Sequence, residues 1–118
     1  MKIKIIDKEI KLIIDDKEYD LHYSFRIYII FEAITGHNLD FEHLSTTDLF
    51  ILFYSAILAT LQYHKIDNSI LFEDMLDLVD ENGGDFLMSV FATWFITQMK
   101  KQAELMQQNE NTTDKKKS

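Results

Sequence analysis

Four histidines and twenty acidic side chains are the residues of this 118-residue chain whose types could do chemistry. The tightest grouping is His37, Asp40, Glu42 and His43, which offers imidazoles and carboxylate of the kind that hold a divalent cation. Such a centre needs a further group to orient each imidazole, and the neighbouring sequence supplies none. Exposed loop polarity is the simpler account. His22 falls on the solvent side of a short strand pattern, and His64 closes a helical one, where a cation opposes the dipole. Neither requires a ligand. Glu73, Asp74, Asp77, Asp80 and Glu81 resemble half of a calcium loop in composition, but they lack its central glycine and alternate ligand spacing. They lie on a helical pattern and read as a solvated face or a docking surface for a basic partner.

Nucleophilic and phosphate-handling motifs are missing as well. There is no Gly-x-Ser-x-Gly elbow, no glycine-rich phosphate loop and no His-Glu-x-x-His. With no cysteine, disulfide frameworks and thiolate metal sites are excluded. The expectation is a protein that is not an enzyme and carries no metal or organic cofactor. A net charge of −8 argues against nucleic acid as partner, because that binding depends on clustered Lys and Arg. The charge is unevenly placed. Residues 1 to 17 hold five lysines against four acids, residues 18 to 99 hold Arg26 and Lys65 against thirteen acids, and residues 100 to 118 hold five lysines against three. A body of net −11 thus lies between mildly basic ends.

The elements that position these residues follow from periodicity. Lys2 to Ile6 and Ile10 to Ile14 alternate like a hairpin, and Tyr19, Leu21 and Tyr23 point one way from a third short strand while Asp20 and His22 point the other. Ser24 is placed to cap a helix that ends at Gly36, and its apolar residues leave so few charged breaks that most of its circumference should be covered. Ser45 to Asp48 open a second helix, whose apolar run from Leu49 to Leu61 makes it central. Asp67, Asn68 and Ser69 precede a third helix with the acidic face, Asn82-Gly83-Gly84 breaks it, and Asp85 opens a fourth. The predicted fold is α+β, mainly α: an N-terminal β-hairpin or short three-stranded segment, then a four-helix bundle-like body. It forms a single domain over residues 1–106, divided into a β segment (1–23) and a helical body (24–106). A polar tail, 107–118, is expected to be disordered. A domain of this length buries roughly two-thirds of its unfolded surface, enough for an unaided core. No signal peptide pattern opens the chain, and its longest apolar run is shorter than a bilayer requires, so a soluble cytoplasmic protein without membrane contact is expected.

Aromatic residues make up 13% of the chain, more apolar surface than a small bundle covers, which leaves an oligomer or partner interface for some of them. The order of features adds a resemblance. Lys17-Glu18-Tyr19-Asp20-Leu21-His22-Tyr23, a helix ending Phe31-Glu32-Ala33-Ile34-Thr35-Gly36, and then Asn38-Leu39-Asp40 look like the opening of the tail assembly chaperones of long-tailed (siphovirus-like) bacteriophages and prophages. Ser55-Ala56-Ile57-Leu58-Ala59 stands where that family has an apolar helix over small residues, and the acidic helix Phe72 to Val79 and an aromatic last helix complete the similarity over about residues 10 to 100. The resemblance implies a non-catalytic role in the bacterial host cytoplasm, holding the tape-measure protein soluble and recruiting tail-tube protein subunits during tail assembly. Weak self-association into a homo-oligomer would line copies along such a client. The contact surface is expected to join Glu73, Asp74, Asp77, Asp80 and Glu81 to exposed aromatics of the last two helices, Phe91, Trp94 and Phe95. The rival reading is an acidic inhibitor or DNA mimic acting on a host enzyme, motivated by the −11 body; against it, the acids cluster at caps and on one helix instead of spreading like phosphates.

Overall fold

The computed structural model describes residues 1–67 and 70–117, with side chains described as far as Gln107. Three strands, β1 (Lys2–Ile6), β2 (Glu9–Ile14) and β3 (Lys17–Asp20), form an antiparallel meander in the order β1-β2-β3. Asp7-Lys8 and Asp15-Asp16 join them as two-residue turns with all four residues at positive φ (50° to 65°). That is the hand required to match the twist of paired strands, and Asp tolerates it better than most residues. Register then sorts the faces. Ile3 opposes Leu12 and Ile5 opposes Ile10 on the side facing the helices. On the other side Lys4 opposes Lys11, and this like-charge pair is offset by Glu18 near Lys4 and by Asp20 and Glu9, which bind Lys11 and raise its pKa, Asp20 most strongly.

The third strand stops earlier than its alternation predicts. Beyond Asp20 the His22 N–H turns to Thr60 Oγ1 (2.9 Å) on a helix, which draws the chain off the sheet edge. Helix α1 (Arg26–Thr35) follows, and its cap differs from expectation: the Ser24 hydroxyl caps nothing, and the Ser24 carbonyl instead accepts from the Ile27 N–H (3.1 Å). At the other end Gly36, at φ +76°, donates its N–H to the Glu32 carbonyl (2.8 Å), the left-handed stop that glycine supplies without a Cβ clash. The expected covering of α1 is corrected. Ile27 and Phe31 are buried, but Phe25, Ile29 and Ile34 are exposed, because α2 covers only one side of the helix.

Asp40 caps a single 3-10 turn, Phe41–His43. Helix α2 (Thr46–Tyr63) starts with Ser45 Oγ accepting from the Asp48 N–H (3.0 Å) and buries nine residues, among them Phe50, Phe53 and Ile57. It is the central helix that its apolar run predicts. Buried hydroxyls on it are satisfied within the helix, Ser55 Oγ donating to the Ile51 carbonyl (2.8 Å) and Thr60 Oγ1 to that of Ala56 (2.7 Å). Helix α3 (Phe72–Glu81) begins after Leu71 with no side-chain cap; the Asn68 and Ser69 caps expected there lie outside the described residues. Helix α4 (Asp85–Lys117) packs against α2 and β2. The polar tail expected over residues 107–118 falls on residues that belong to α4 as far as Lys117, and Ser118 lies outside the described residues. One core joins the inner sheet face to α1, α2, α3 and α4 through Leu12, Phe31, Phe53, Met75, Phe91 and Phe95. The architecture is α+β and mainly α, a three-stranded sheet followed by four helices.

Candidate protein-contact faces

Two surfaces combine apolar exposure with charge, and α2 carries both. The first belongs to α3. Met75 and Val79 are buried, and Phe72 sets its ring nearly perpendicular to those of Phe50 (5.1 Å between centroids) and Tyr54 (6.0 Å) on α2. The Tyr54 hydroxyl donates to the Ile70 carbonyl (2.7 Å), tying down the approach to the helix. At 100° per residue, Phe72 and Leu76 border the buried seam, and Asp80, Glu73 and Asp77 come next around the cylinder. Phe72 and Leu76 stay 42% and 43% exposed. Glu73, Asp74, Asp77, Asp80 and Glu81 are all exposed, and among the described residues none forms an ion pair. Glu73 and Asp74 sit in the first turn, where they complement the helix dipole.

The aromatic half of the predicted surface is corrected. Phe91 and Phe95 are wholly buried: Phe91 meets Phe53 at 5.0 Å, and Phe95 stacks on Phe41 at 5.4 Å. Trp94 is half-buried against Phe91 and Tyr23. The exposed aromatics of α3 and α4 are Phe72 and Phe86. Sequence held the signal for this: Phe91 and Phe95 continue the stripe of Leu87, whereas Phe86 shares its side of the helix with Ser89 and Thr93.

The second surface was not anticipated. A cleft of about 590 Å³ opens between the start of α1 and the end of α2, and its lining includes His22, Phe25, Arg26, Ile29, Tyr63 and Lys65. Phe25, Ile29 and Tyr63 are 75%, 50% and 56% exposed. The His22 ring lies flat on Tyr63 (3.6 Å, 11° between planes), and its pKa is lowered first by burial and then by His64. Lys65 takes a left-handed φ of +56° that ends α2, and its N–H donates to the Gln62 carbonyl (3.1 Å). Arg26 and Lys65 are the two cations of the whole stretch from residue 18 to 99, and the fold brings both to one cleft.

The His37–His43 cluster divides into two pairs. Asp40 Oδ2 meets His43 Nδ1 (2.9 Å) while its Oδ1 accepts from the Glu42 N–H (3.0 Å), and these contacts, His43 first, hold the Asp40 carboxyl below its usual pKa. His37 Nδ1 donates to the Asn38 carbonyl (2.9 Å) and its Nε2 lies 3.4 Å from Asp48 Oδ1; the carbonyl foremost, then Asp48, raise the imidazole pKa. Among the described residues no group of three or more His, Cys, Asp or Glu is arranged to hold a metal ion, and no helix is long and apolar enough to cross a membrane. Compared with known proteins, the chain matches no family model, no curated protein and no solved structure.

Proposed function

We propose that the protein is a non-catalytic tail assembly chaperone of a long-tailed phage or prophage, working in the cytoplasm of the bacterial host on the tape-measure protein and the tail-tube protein. The observation that carries this reading is the α3 face: exposed Phe72 and Leu76 beside five carboxylates that are free of ion pairs among the described residues. A long helical client exposes apolar seams before a tube encloses it. A helix edge with apolar residues on one border and dense charge on the other can cover such a seam and keep the complex soluble. Leu76 and the five acids lie outside the core, and Phe72, although it packs on Phe50 and Tyr54, keeps 42% of its surface open to contact. The ordered sequence features that resemble the chaperone family supply the client's identity.

The test is co-expression with the tape-measure protein of the same phage. Soluble client should fall several-fold when Asp74→Lys and Asp77→Lys are combined, with the helical circular dichroism of the chaperone unchanged. Client solubility that survives the charge reversal would overturn the role of this face.

A further inference from the structure

We propose that the cleft between α1 and α2 binds an acidic segment of a different protein, one that carries apolar side chains among its carboxylates. This is a second contact surface and does not rest on the client reading of the α3 face.

Arg26 is the first residue of α1, where the helix dipole is positive and a cation is unfavourable. That end of the helix has no side-chain cap and no acid in its first turn, and among the described residues Arg26 forms no ion pair. Folded chains break local rules of this kind chiefly where they meet a ligand or partner. An arriving carboxylate would satisfy the arginine and the helix end together. Lys65 supplies a second cation, also without an ion pair among the described residues. It follows the end of α2 and opposes the negative dipole there, so the positive surplus of the cleft lies toward Arg26.

The apolar walls fix the rest of the occupant's chemistry. Phe25, just before α1, and Ile29 stand one turn apart, and Tyr63 lines the cleft from the end of α2. The His22 ring is stacked on Tyr63, and the His22 N–H is bonded to Thr60, so this wall is in place before anything binds. All three apolar side chains keep half or more of their surface exposed. A small molecule needs most of its surface enclosed, whereas a chain segment lying along the cleft would cover all three at once. Nucleic acid is disfavoured by the thirteen acids of the same stretch, residues 18 to 99. The chain's own densest acids are fixed on α3, whose Met75 and Val79 are turned into the core, so they are not a free segment.

Other basic sites lack one of these elements. On the sheet, Lys4 and Lys11 already face Glu18, Glu9 and Asp20. Further along α4, exposed Lys100 and Lys101 lie in none of the clefts described for the fold.

The probe is a fluorescein-labelled synthetic peptide of glutamate, leucine and phenylalanine, and its control has glutamine at every glutamate position. Fluorescence anisotropy with the full chain should show the acidic peptide binding about tenfold or more tighter than the control, by a margin that shrinks as salt is raised. Arg26→Glu with Lys65→Glu should abolish that margin, and Phe25→Ser with Ile29→Ser should weaken both peptides about tenfold. Lys100→Glu with Lys101→Glu makes the same charge change elsewhere and should leave the affinity within about twofold. All six positions are exposed, so circular dichroism should match wild type. Arg26→Glu alone should weaken binding and yet raise the urea midpoint, because an acid suits the start of α1. A control peptide that binds equally well, undiminished binding by the Arg26/Lys65 variant, or a midpoint lowered by Arg26→Glu each overturns the proposal. Citrate that displaces the peptide at an equal concentration would make the cleft a plain anion site. Concentration-dependent association of wild type that the Arg26/Lys65 variant loses would assign the cleft to a second copy, and either result overturns the proposal too. Client solubilisation is read separately at Asp74 and Asp77, so either reading can fail alone.

Discussion

The two ends of α2 support surfaces with similar apolar exposure and opposite charge. Near its start, Phe50 and Tyr54 hold Phe72 and thereby α3, whose exposed acids stand in the open. At its end, Thr60 and Tyr63 hold His22, and Arg26 and Lys65 gather over exposed Phe25 and Ile29. Apolar area alone would not tell these faces apart. Charge does, and the overall −8 conceals it, because two cations concentrated in one cleft barely register in a sum over the chain.

The largest expected perturbation removes what both faces share. Phe53→Ala deletes a wholly buried ring in contact with Phe91 and should cost about 3–5 kcal/mol, a large part of the 5–15 kcal/mol typical of a domain. Urea unfolding measures it, and a loss below about 1 kcal/mol would show that α2 and α4 are not packed as described. Next comes a change that separates the ends. Thr60→Val leaves the His22 N–H without its acceptor and should cost about 1–3 kcal/mol. Ser55→Ala, nearer α3, removes a donor whose carbonyl partner keeps its place in the helix and should cost about 1 kcal/mol or less. Equal losses at the two positions would remove the distinction. Ser45→Ala, which uncaps the end of α2 nearer α3, should cost about 1 kcal/mol and speed amide exchange in the first turn while leaving His22 unaffected.

The smallest effect is in pH. His22 has a lowered folded pKa, so its contribution is present above the unfolded value of about 6.5 and is lost as pH falls through the folded one. His37 has a raised folded pKa, so its contribution is present below about 6.5 and is lost as pH rises through the folded value. His22→Gln should therefore remove a loss of stability on the acid side, and His37→Gln should remove a gain there. Urea midpoints followed across this range should shift in opposite directions for the two variants, and a shift in the same direction would contradict one of the two environments.

Local physics was legible in the chain. Alternation marked the meander, Gly36 and Ser45 marked helix ends, and the all-round apolarity of Leu49 to Leu61 marked the helix that others surround. What required the third dimension was which apolar side meets a neighbour. In α1 the run Phe25 to Phe31 reads as covered around most of the helix, yet with α2 along one side, Ile27 and Phe31 go in while Phe25 and Ile29 stay out. The α4 aromatics erred in the other direction, since abundance suggested exposure where the stripe of Leu87, Phe91 and Phe95 meant burial. The acids of α3 were found by sequence because they are contiguous. The cleft was not, because His22 and Arg26 come from a segment nearly forty residues before Tyr63 and Lys65. Its one sequence trace is that Arg26 and Lys65 stand alone as cations in an acidic stretch.

The two-residue turns of the meander also keep its strand pairings local in sequence. Every pairing in the sheet closes a short loop, from Ile6 with Glu9 out to Lys2 with Ile13, so the strands can find one another quickly. Three strands with one apolar face are about the least that a sheet needs to hold by itself, and that face is left bare until a helix covers it. Its lasting cover comes from α4, which packs on β2 some eighty residues later in the chain. The sheet's own pairings are thus local in sequence, while the contact that covers its apolar face is among the most distant in the chain.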